Sequence, residues 1–184
     1  IPRSQTHDSL KEASRQALKG DASSSLKTKQ EIFDKSMQLL RVHKGGEAMQ
    51  LLSELIASVW TDNGPDNSLL ARCHIEVGKW HNHDDALSYP IQQFQLAQEA
   101  AEKAGDKKLH ALALLGEAEV ISRQEKDTKL FSDKTNWDEA IEKTDTAMKE
   151  LSSVVQPDDP IYVAARQEEQ TIKKRCLPES QGSQ

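Results

Sequence analysis

The sequence predicts an all-α protein of antiparallel helix hairpins that stack as an α-solenoid of about seven or eight helices. Three observations lead to this prediction. No segment alternates apolar and polar residues with a period of two, so no sheet is expected. The chain is 36% hydrophobic, 4% aromatic and 29% charged, which suits a thin structure in which each helix contacts only its neighbours. Small residues recur at matching offsets in successive helical segments.

The first part of the chain, residues 1–28, is predicted to be a polar segment with at most one helix. Its stretch "DSLKEASRQALKG" has apolar residues on one face, an Asp or Ser that could cap it, and Gly20 to end it. The following stretch, Gly20–Gln30, is rich in Gly and Ser and is predicted to be a loop. At the other end, residues 176–184 are predicted to form a disordered tail.

The helical-repeat domain is predicted to span residues 29–175. Turn sequences such as "HKGGE", "TDNGPDN" and "QPDDP" divide it into helices. Asn136 is the predicted cap of the sixth helix, and Asp159 followed by Pro160 suits the start of the seventh. The predicted helices are Lys29–Val42, Glu47–Trp60, Ser68–Trp80, Ile91–Ala104, Lys108–Arg123, Trp137–Val155 and Ile161–Arg175.

The second, fourth and sixth predicted helices share a pattern of small or apolar residues. The copies lie 49 residues apart (48 to 97) and 43 residues apart (97 to 140), a period typical of solenoid repeats. Alanine on a helix face lets a neighbouring backbone approach closely, as stacked hairpins require. An ordinary helical bundle obeys the same packing rules and is the alternative. The aligned residues are Ala48, Leu52 and Leu55, then Phe94, Ala97, Ala101 and Ala104, then Trp137, Ala140, Thr144 and Ala147.

Several of these segments resemble tetratricopeptide repeats. "NWDEAIEKTDTAMKEL" and the later "PDDP" resemble the second helix and closing turn of such a repeat. "LALLGEAEV", with Leu115-Gly116, and "ARCHIEVGKW", with Val77-Gly78, resemble its first helix. The resemblance covers roughly residues 30 to 175. It implies a non-catalytic helical-repeat scaffold that binds a protein or peptide partner.

The long helix pairs also resemble the FAT region of phosphatidylinositol-3-kinase-related protein kinases, where irregular tetratricopeptide-like repeats cradle a kinase domain. This alternative implies an excised scaffold segment in DNA-damage or growth signalling, as part of a larger polypeptide or complex. The start at Ile1 rather than Met agrees with a processed or excised chain. No kinase activity is expected, because the chain lacks a Gly-rich loop and the HRD and DFG motifs.

Charge and cysteine usage restrict the partners and the compartment. The net charge of −6 argues against a broad basic face for nucleic acid, and the "KKR" run at residues 173–175 is expected to be a solvated helix end. The sequence contains no run of 18 apolar residues, so no membrane span is predicted. Cys73 and Cys176 are too few and too far apart for a disulfide framework, so an intracellular, cytoplasmic or nuclear protein is expected.

The stretch "CHIEVGKWHNHDD" is the best candidate for chemistry, because it concentrates metal-ligand residue types. His74 and His81 are two helical turns apart, too far for one ion, and His81 and His83 could chelate only from a loop. We therefore expect a polar helix-to-loop junction with solvated histidines. Cys73 lies on an apolar stripe and is expected to be buried and inert. No enzyme activity, metal or cofactor is predicted.

Four residues are candidates for partner binding. Glu117 and Glu119 lie on an otherwise apolar helix and are expected to be exposed, although a buried acid with a partner could mark a binding groove. Trp80 stands beside His81 at a helix end, and tryptophan is favoured at interfaces. The competing interpretation is that the tryptophans at helix ends seal hairpin junctions. The candidates are Glu117, Glu119, Trp80 and His81; the tryptophans at helix ends are Trp60, Trp80 and Trp137.

Overall fold

A computed structural model describes residues 22–59, 66–83, 86–124 and 135–177. Within these ranges the regular elements are seven α-helices and there is no strand, which confirms the all-α prediction. Four predicted features lie outside the described residues: the N-terminal helix, Trp60, the two aspartates that end the stretch "CHIEVGKWHNHDD", and the tail from residue 178. The helices are α1 (Ala22–Arg41), α2 (Gly45–Val59), α3 (Asn67–His81), α4 (Ser88–Ala104), α5 (Lys107–Ser122), α6 (Asn136–Val154) and α7 (Pro160–Cys176).

The chain divides into two compact units, Ile1–Leu55 and Ile56–Gln184, and the boundary falls inside α2. The first unit contains α1 and most of α2, and the second contains the end of α2 and helices α3 to α7. The division predicted from the sequence, into 1–28, 29–175 and 176–184, stays a prediction. Helices cross both predicted boundaries, because α1 begins at Ala22 and α7 extends to Cys176, which is buried.

Helix α1 begins at Ala22, so the loop predicted for Gly20–Gln30 is wrong from Ala22 onward. The prediction gave too much weight to the serine run. Ala, Leu, Lys and Gln in this stretch are strong helix formers, and serine is only moderately unfavourable in a helix. A helix that is already formed after Gln30 therefore extends through these residues at small cost.

The "HKGGE" break predicted after the first helix is confirmed by the backbone at His43, which has a left-handed φ of 61°. The N–H of Lys44 donates to the carbonyl oxygen of Leu39, and the N–H of His43 donates to that of Leu40. These two hydrogen bonds form a Schellman motif, which closes α1 without a glycine.

In the second unit, the helices follow one another as hairpins. Helix α4 packs against α3 and α5, helix α6 packs against α5 and α7, and α5 also packs against α3 and α7. Helix α5 is therefore central, and it is buried along nearly its whole length, as its apolar sequence predicts. A hydrophobic cluster joins α5, α6 and α7 through residues such as Leu115, Ile121, Leu151 and Ile172.

Local capping explains the turns between these helices. Asp106 accepts a hydrogen bond from the N–H of Leu109 at 3.0 Å and caps α5. Directly before it, Gly105 ends α4 in the left-handed region, with φ of 67°, so the α4–α5 turn is very short. Asp159 caps α7 and Pro160 opens it, as predicted from the sequence.

The predicted cap of α6 is wrong by one residue. Thr135 is the cap, and its side chain and that of Asp138 bond to each other's backbone N–H in a capping box. Asn136 is instead the first residue of the helix and is buried. Both residue types can cap a helix, and only the backbone position decides between them.

The aligned alanines Ala48, Ala97 and Ala140 are all buried, each 0% exposed. Ala104 departs from the pattern, since it is exposed at the end of α4 while its counterpart Ala147 is buried. Buried alanines of this kind allow close helix packing, which agrees with the hairpin arrangement predicted from the small residues.

Candidate partner-binding surface

Helices α3, α5 and α7 pack side by side, and each leaves a stripe of partly exposed side chains. On α5 the stripe has helical spacing of four, seven and four residues, which places its members on one face. We name the surface formed by the three stripes the odd-helix face. It consists of Arg72, Glu76 and Lys79 of α3, Lys108, Leu112, Glu119 and Arg123 of α5 or its C-cap, and Ala164, Glu168 and Arg175 of α7.

Glu119 is the centre of a hydrogen-bonded network that links the three helices of this face. The side-chain amide of Asn82, at the C-cap of α3, donates to Glu119, and Arg123 donates to the amide oxygen of Asn82. Arg175 of α7 lies 3.5 Å from Glu119 Oε1 and donates to Ser122 Oγ at 2.6 Å. Polar side chains therefore join the ends of α3, α5 and α7 at this surface.

Glu168 of α7 lies on the same face, close to the charges of the other two helices. Burial raises the pKa of the Glu168 carboxyl, the negative charge of Glu119 raises it further, and the positive charge of Lys79 opposes both. Lys79 itself pairs with Glu76 at 3.0 Å on α3. Charges from α3, α5 and α7 thus act on one another across the odd-helix face.

The predicted exposure of Glu117 is wrong, since its side chain is 1% exposed. Its carboxylate accepts hydrogen bonds from Gln95 Nε2 at 2.9 Å and Gln98 Nε2 at 2.7 Å, both on α4. Lys143 Nζ of α6 lies 3.0 Å from Glu117 Oε2, the oxygen that also accepts from Gln98. A buried acid needs such partners, and here the chain supplies them from the two helices that flank α5. Glu117 therefore points away from the odd-helix face.

Glu119 is half-buried rather than fully exposed, as its contacts to Asn82 and Arg175 explain. The predicted solvated helix end at residues 173–175 is wrong for two of its residues. Arg175 bonds to Ser122, and Lys173 pairs with Asp145 at 2.7 Å and with Glu169. The contacts of Arg175 with Ser122 and of Lys173 with Asp145 could not be predicted from spacing along the sequence, because each joins two different helices.

Trp80 and His81 lie at the end of α3, as predicted. Trp80 is 43% exposed, and the His81 ring packs edge-on against Tyr89 of α4 with ring centroids 4.8 Å apart. Trp137, by contrast, donates its indole N–H to the carbonyl oxygen of Gln124 at 3.1 Å. Trp137 therefore seals the junction between α5 and α6, which confirms that interpretation for this tryptophan.

The stretch predicted to be a polar junction contains two buried groups. Cys73 is fully buried, which confirms the expected burial, and burial raises the pKa of its thiol to about 12. His74 is buried rather than solvated, so that prediction is wrong for this residue. Its Nδ1 lies 2.8 Å from Gln93 Oε1, and burial lowers the pKa of the imidazole.

The described residues were also searched for a metal site and for membrane-spanning helices, and the chain was compared with known proteins. Across the part of the chain that the structure describes, no three His, Cys, Asp or Glu side chains are arranged to hold a metal ion. None of the described helices combines the length and apolar character needed to cross a membrane. No protein-family model matches the chain, and no curated protein or solved structure shows significant similarity to it.

Proposed function

We propose that the chain is a non-catalytic, tetratricopeptide-like helical-repeat scaffold that binds a segment of a partner protein on its odd-helix face. The observation that carries the proposal is the side-by-side packing of α3, α5 and α7, each with a stripe of partly exposed side chains. Stacked helix hairpins commonly use such extended surfaces for binding. A solenoid geometry is part of the proposal.

The composition of the odd-helix face supports binding rather than a purely structural role. Leu112 and Ala164 offer apolar surface between charged side chains, and the network around Glu119 fixes the helix ends relative to one another. A surface that is already ordered loses little conformational entropy when a partner binds. Of the four candidates from the sequence, Glu119 belongs to this face.

Site-specific photo-crosslinking tests the proposal. We would place p-benzoylphenylalanine at Leu112, on the odd-helix face, and in a matched variant at Thr146, which is exposed on α6. In lysate from cells that express the chain, we expect one protein to cross-link at position 112 and not at position 146. The captured protein is then purified, and its Kd is measured against the wild type, Leu112→Gln and Thr146→Gln.

The proposal predicts that Leu112→Gln weakens binding by about tenfold while Thr146→Gln leaves the Kd unchanged. Equal cross-linking at both positions, or equal Kd values for the two variants, would contradict it. Circular dichroism of both variants checks that neither has lost its helical fold.

A further inference from the structure

Exposed charges are segregated between the two sets of helices in the second unit. On α3, α5 and α7, the exposed charged side chains are all basic. They are Lys79, which belongs to the odd-helix face, and Lys107, Arg166 and Lys174, which are not part of it. On α4 and α6, five of the exposed charged side chains are acidic and two are basic. The whole chain carries 30 acidic and 24 basic residues, so the basic character of α3, α5 and α7 runs against the overall balance.

The carboxylates of the odd-helix face lie deeper than the basic groups that pair with them. The Glu119 side chain is 17% exposed, whereas Arg175 and Arg123, which share it, are 34% and 25% exposed. Glu76 is likewise less exposed than its partner Lys79. Two guanidinium groups share one carboxylate, so an approaching molecule meets positive charge first.

Lys108 adds a further positive charge near the start of α5. It makes no ion pair with any other residue that the structure describes, and it lies one helical turn from Leu112. Ala164 on α7 adds an exposed apolar side chain to the face. The face as defined carries five basic and three acidic side chains, so it combines a net positive charge with a small apolar surface.

We infer that the odd-helix face binds an acidic peptide segment that also carries apolar side chains. This inference rests on the proposed function and identifies the chemistry of the partner. Three neighbouring helices at 8–10 Å spacing span roughly 16–20 Å, which an extended segment of about six residues crosses. Carboxylates of the segment pair with Lys108 and the arginines, and its apolar residues contact Leu112.

Fluorescence anisotropy with two labelled peptides tests this inference. One peptide of about 12 residues repeats Glu-Glu-Leu, and the other has Lys in place of every Glu, so both have the same apolar content. We expect the acidic peptide to bind the wild-type chain at least about tenfold more tightly than the basic one, with weaker binding at higher salt.

Two variants with the same change in net charge locate the binding. Lys108→Glu lies on the odd-helix face, and Lys149→Glu lies on the exposed side of α6. We expect Lys108→Glu to weaken binding of the acidic peptide about fivefold and Lys149→Glu to change it by less than about twofold.

Equal binding of the two peptides, or equal effects of the two variants, would overturn the inference. The outcome for the proposed function can be distinguished from the outcome for this inference. If the partner cross-linked at position 112 binds through a basic or neutral segment, the proposed function stands and the acidic-segment inference is wrong. If no partner cross-links at position 112 and neither peptide binds, both are wrong.

Discussion

Phe94 of α4 packs its ring directly on Gly116 of α5, so closely that a Cβ atom at Gly116 would lie 2.6 Å from the ring's Cζ. The same ring also covers Gly78 of α3, where a Cβ would lie 3.0 Å from Cζ. One aromatic side chain therefore fits against glycines of both helices that pack against α4. This contact joins the α3–α4 hairpin to α5 through bare backbone, which a larger residue would push apart.

Gly116→Ala is expected to destabilise the protein by about 1–3 kcal/mol, because the added methyl overlaps a fully buried ring in a packed core. Urea unfolding followed by circular dichroism measures the change. The matched control is Gly46→Ala in α2, since a Cβ there has no atom within 4 Å. We expect this control to be neutral or to stabilise by up to about 0.5–1 kcal/mol, through the higher helix propensity of alanine.

A double variant separates the Phe94 contact from the general effect of adding a methyl group. In a Phe94→Leu background, Gly116→Ala should cost clearly less than it does in the wild type, because the smaller side chain removes the overlap. Additive effects of the two substitutions would show that the ring does not limit the space at Gly116.

Lys143→Ala is expected to destabilise the fold by about 1–3 kcal/mol, because it removes the only cation paired with the buried Glu117 carboxylate among the described contacts. The two glutamine donors of α4 remain and limit the loss. Lys149→Ala, exposed on the same helix, is the control and should change stability by less than about 0.5 kcal/mol. Thermal and urea unfolding measure both, and equal losses would contradict a specific role for Lys143.

Cys73 is expected to resist alkylation while the protein is folded. Its pKa of about 12 leaves almost no thiolate at pH 8, and the thiol is also fully buried. Labelling with iodoacetamide, followed by mass spectrometry of peptides, should show modification of Cys73 only after urea is added. Labelling at the rate of an unfolded control under native conditions would show that Cys73 is accessible.

Stability is expected to fall as the pH drops below about 6.5, in part because of His74. Its folded-state pKa is lowered by burial, so below the ordinary histidine pKa the unfolded chain binds a proton that the folded chain does not. The contribution is therefore fully present above the ordinary pKa and is lost as the pH falls toward the folded-state value. Urea unfolding measured from pH 7 to about pH 5 follows this loss.

The exposed His83 provides the control for that pH dependence. His74→Gln should flatten the decline in the free energy of unfolding between about pH 6.5 and pH 5, whereas His83→Gln should leave the decline as in the wild type. An unchanged slope in His74→Gln would show that protonation of His74 is not linked to unfolding.

Helix positions were predictable where the signal is local. The end of α4 at Ala104, before Gly105, and the Asp159–Pro160 start of α7 follow from backbone preferences of residues adjacent in sequence, and both are found where expected. The start of α4 was predicted three residues late, at Ile91, because Pro90 is tolerated in the first turn of the helix. The serine run before Gln30 was wrongly predicted to be a loop, because residues of weak helix propensity become helical when a stable helix follows them.

The candidate surface was less predictable, because its contacts join residues far apart in the chain. Glu119 was a candidate from the sequence, but its link to Asn82 and Arg175 depends on how α3, α5 and α7 pack. Glu117 looks equivalent in sequence, two residues earlier on the same helix, yet it turns toward α4 and α6. The helical rotation between them places the two carboxylates on different faces. The only advance signal for the network was a basic or amide residue in the last turn or at the C-cap of α3, α5 and α7.

The sequence by itself determined that the chain is helical, where most helices begin and end, and which residues line their apolar faces, because periodicity and capping act within a few residues. Only the tertiary structure decided that Phe94 fits between Gly78 and Gly116, that Glu117 is buried while Glu119 joins three helices, and that positive charge collects on α3, α5 and α7. These features arise when helices distant in sequence pack together, and the free energy of each contact depends on partners that no local pattern identifies.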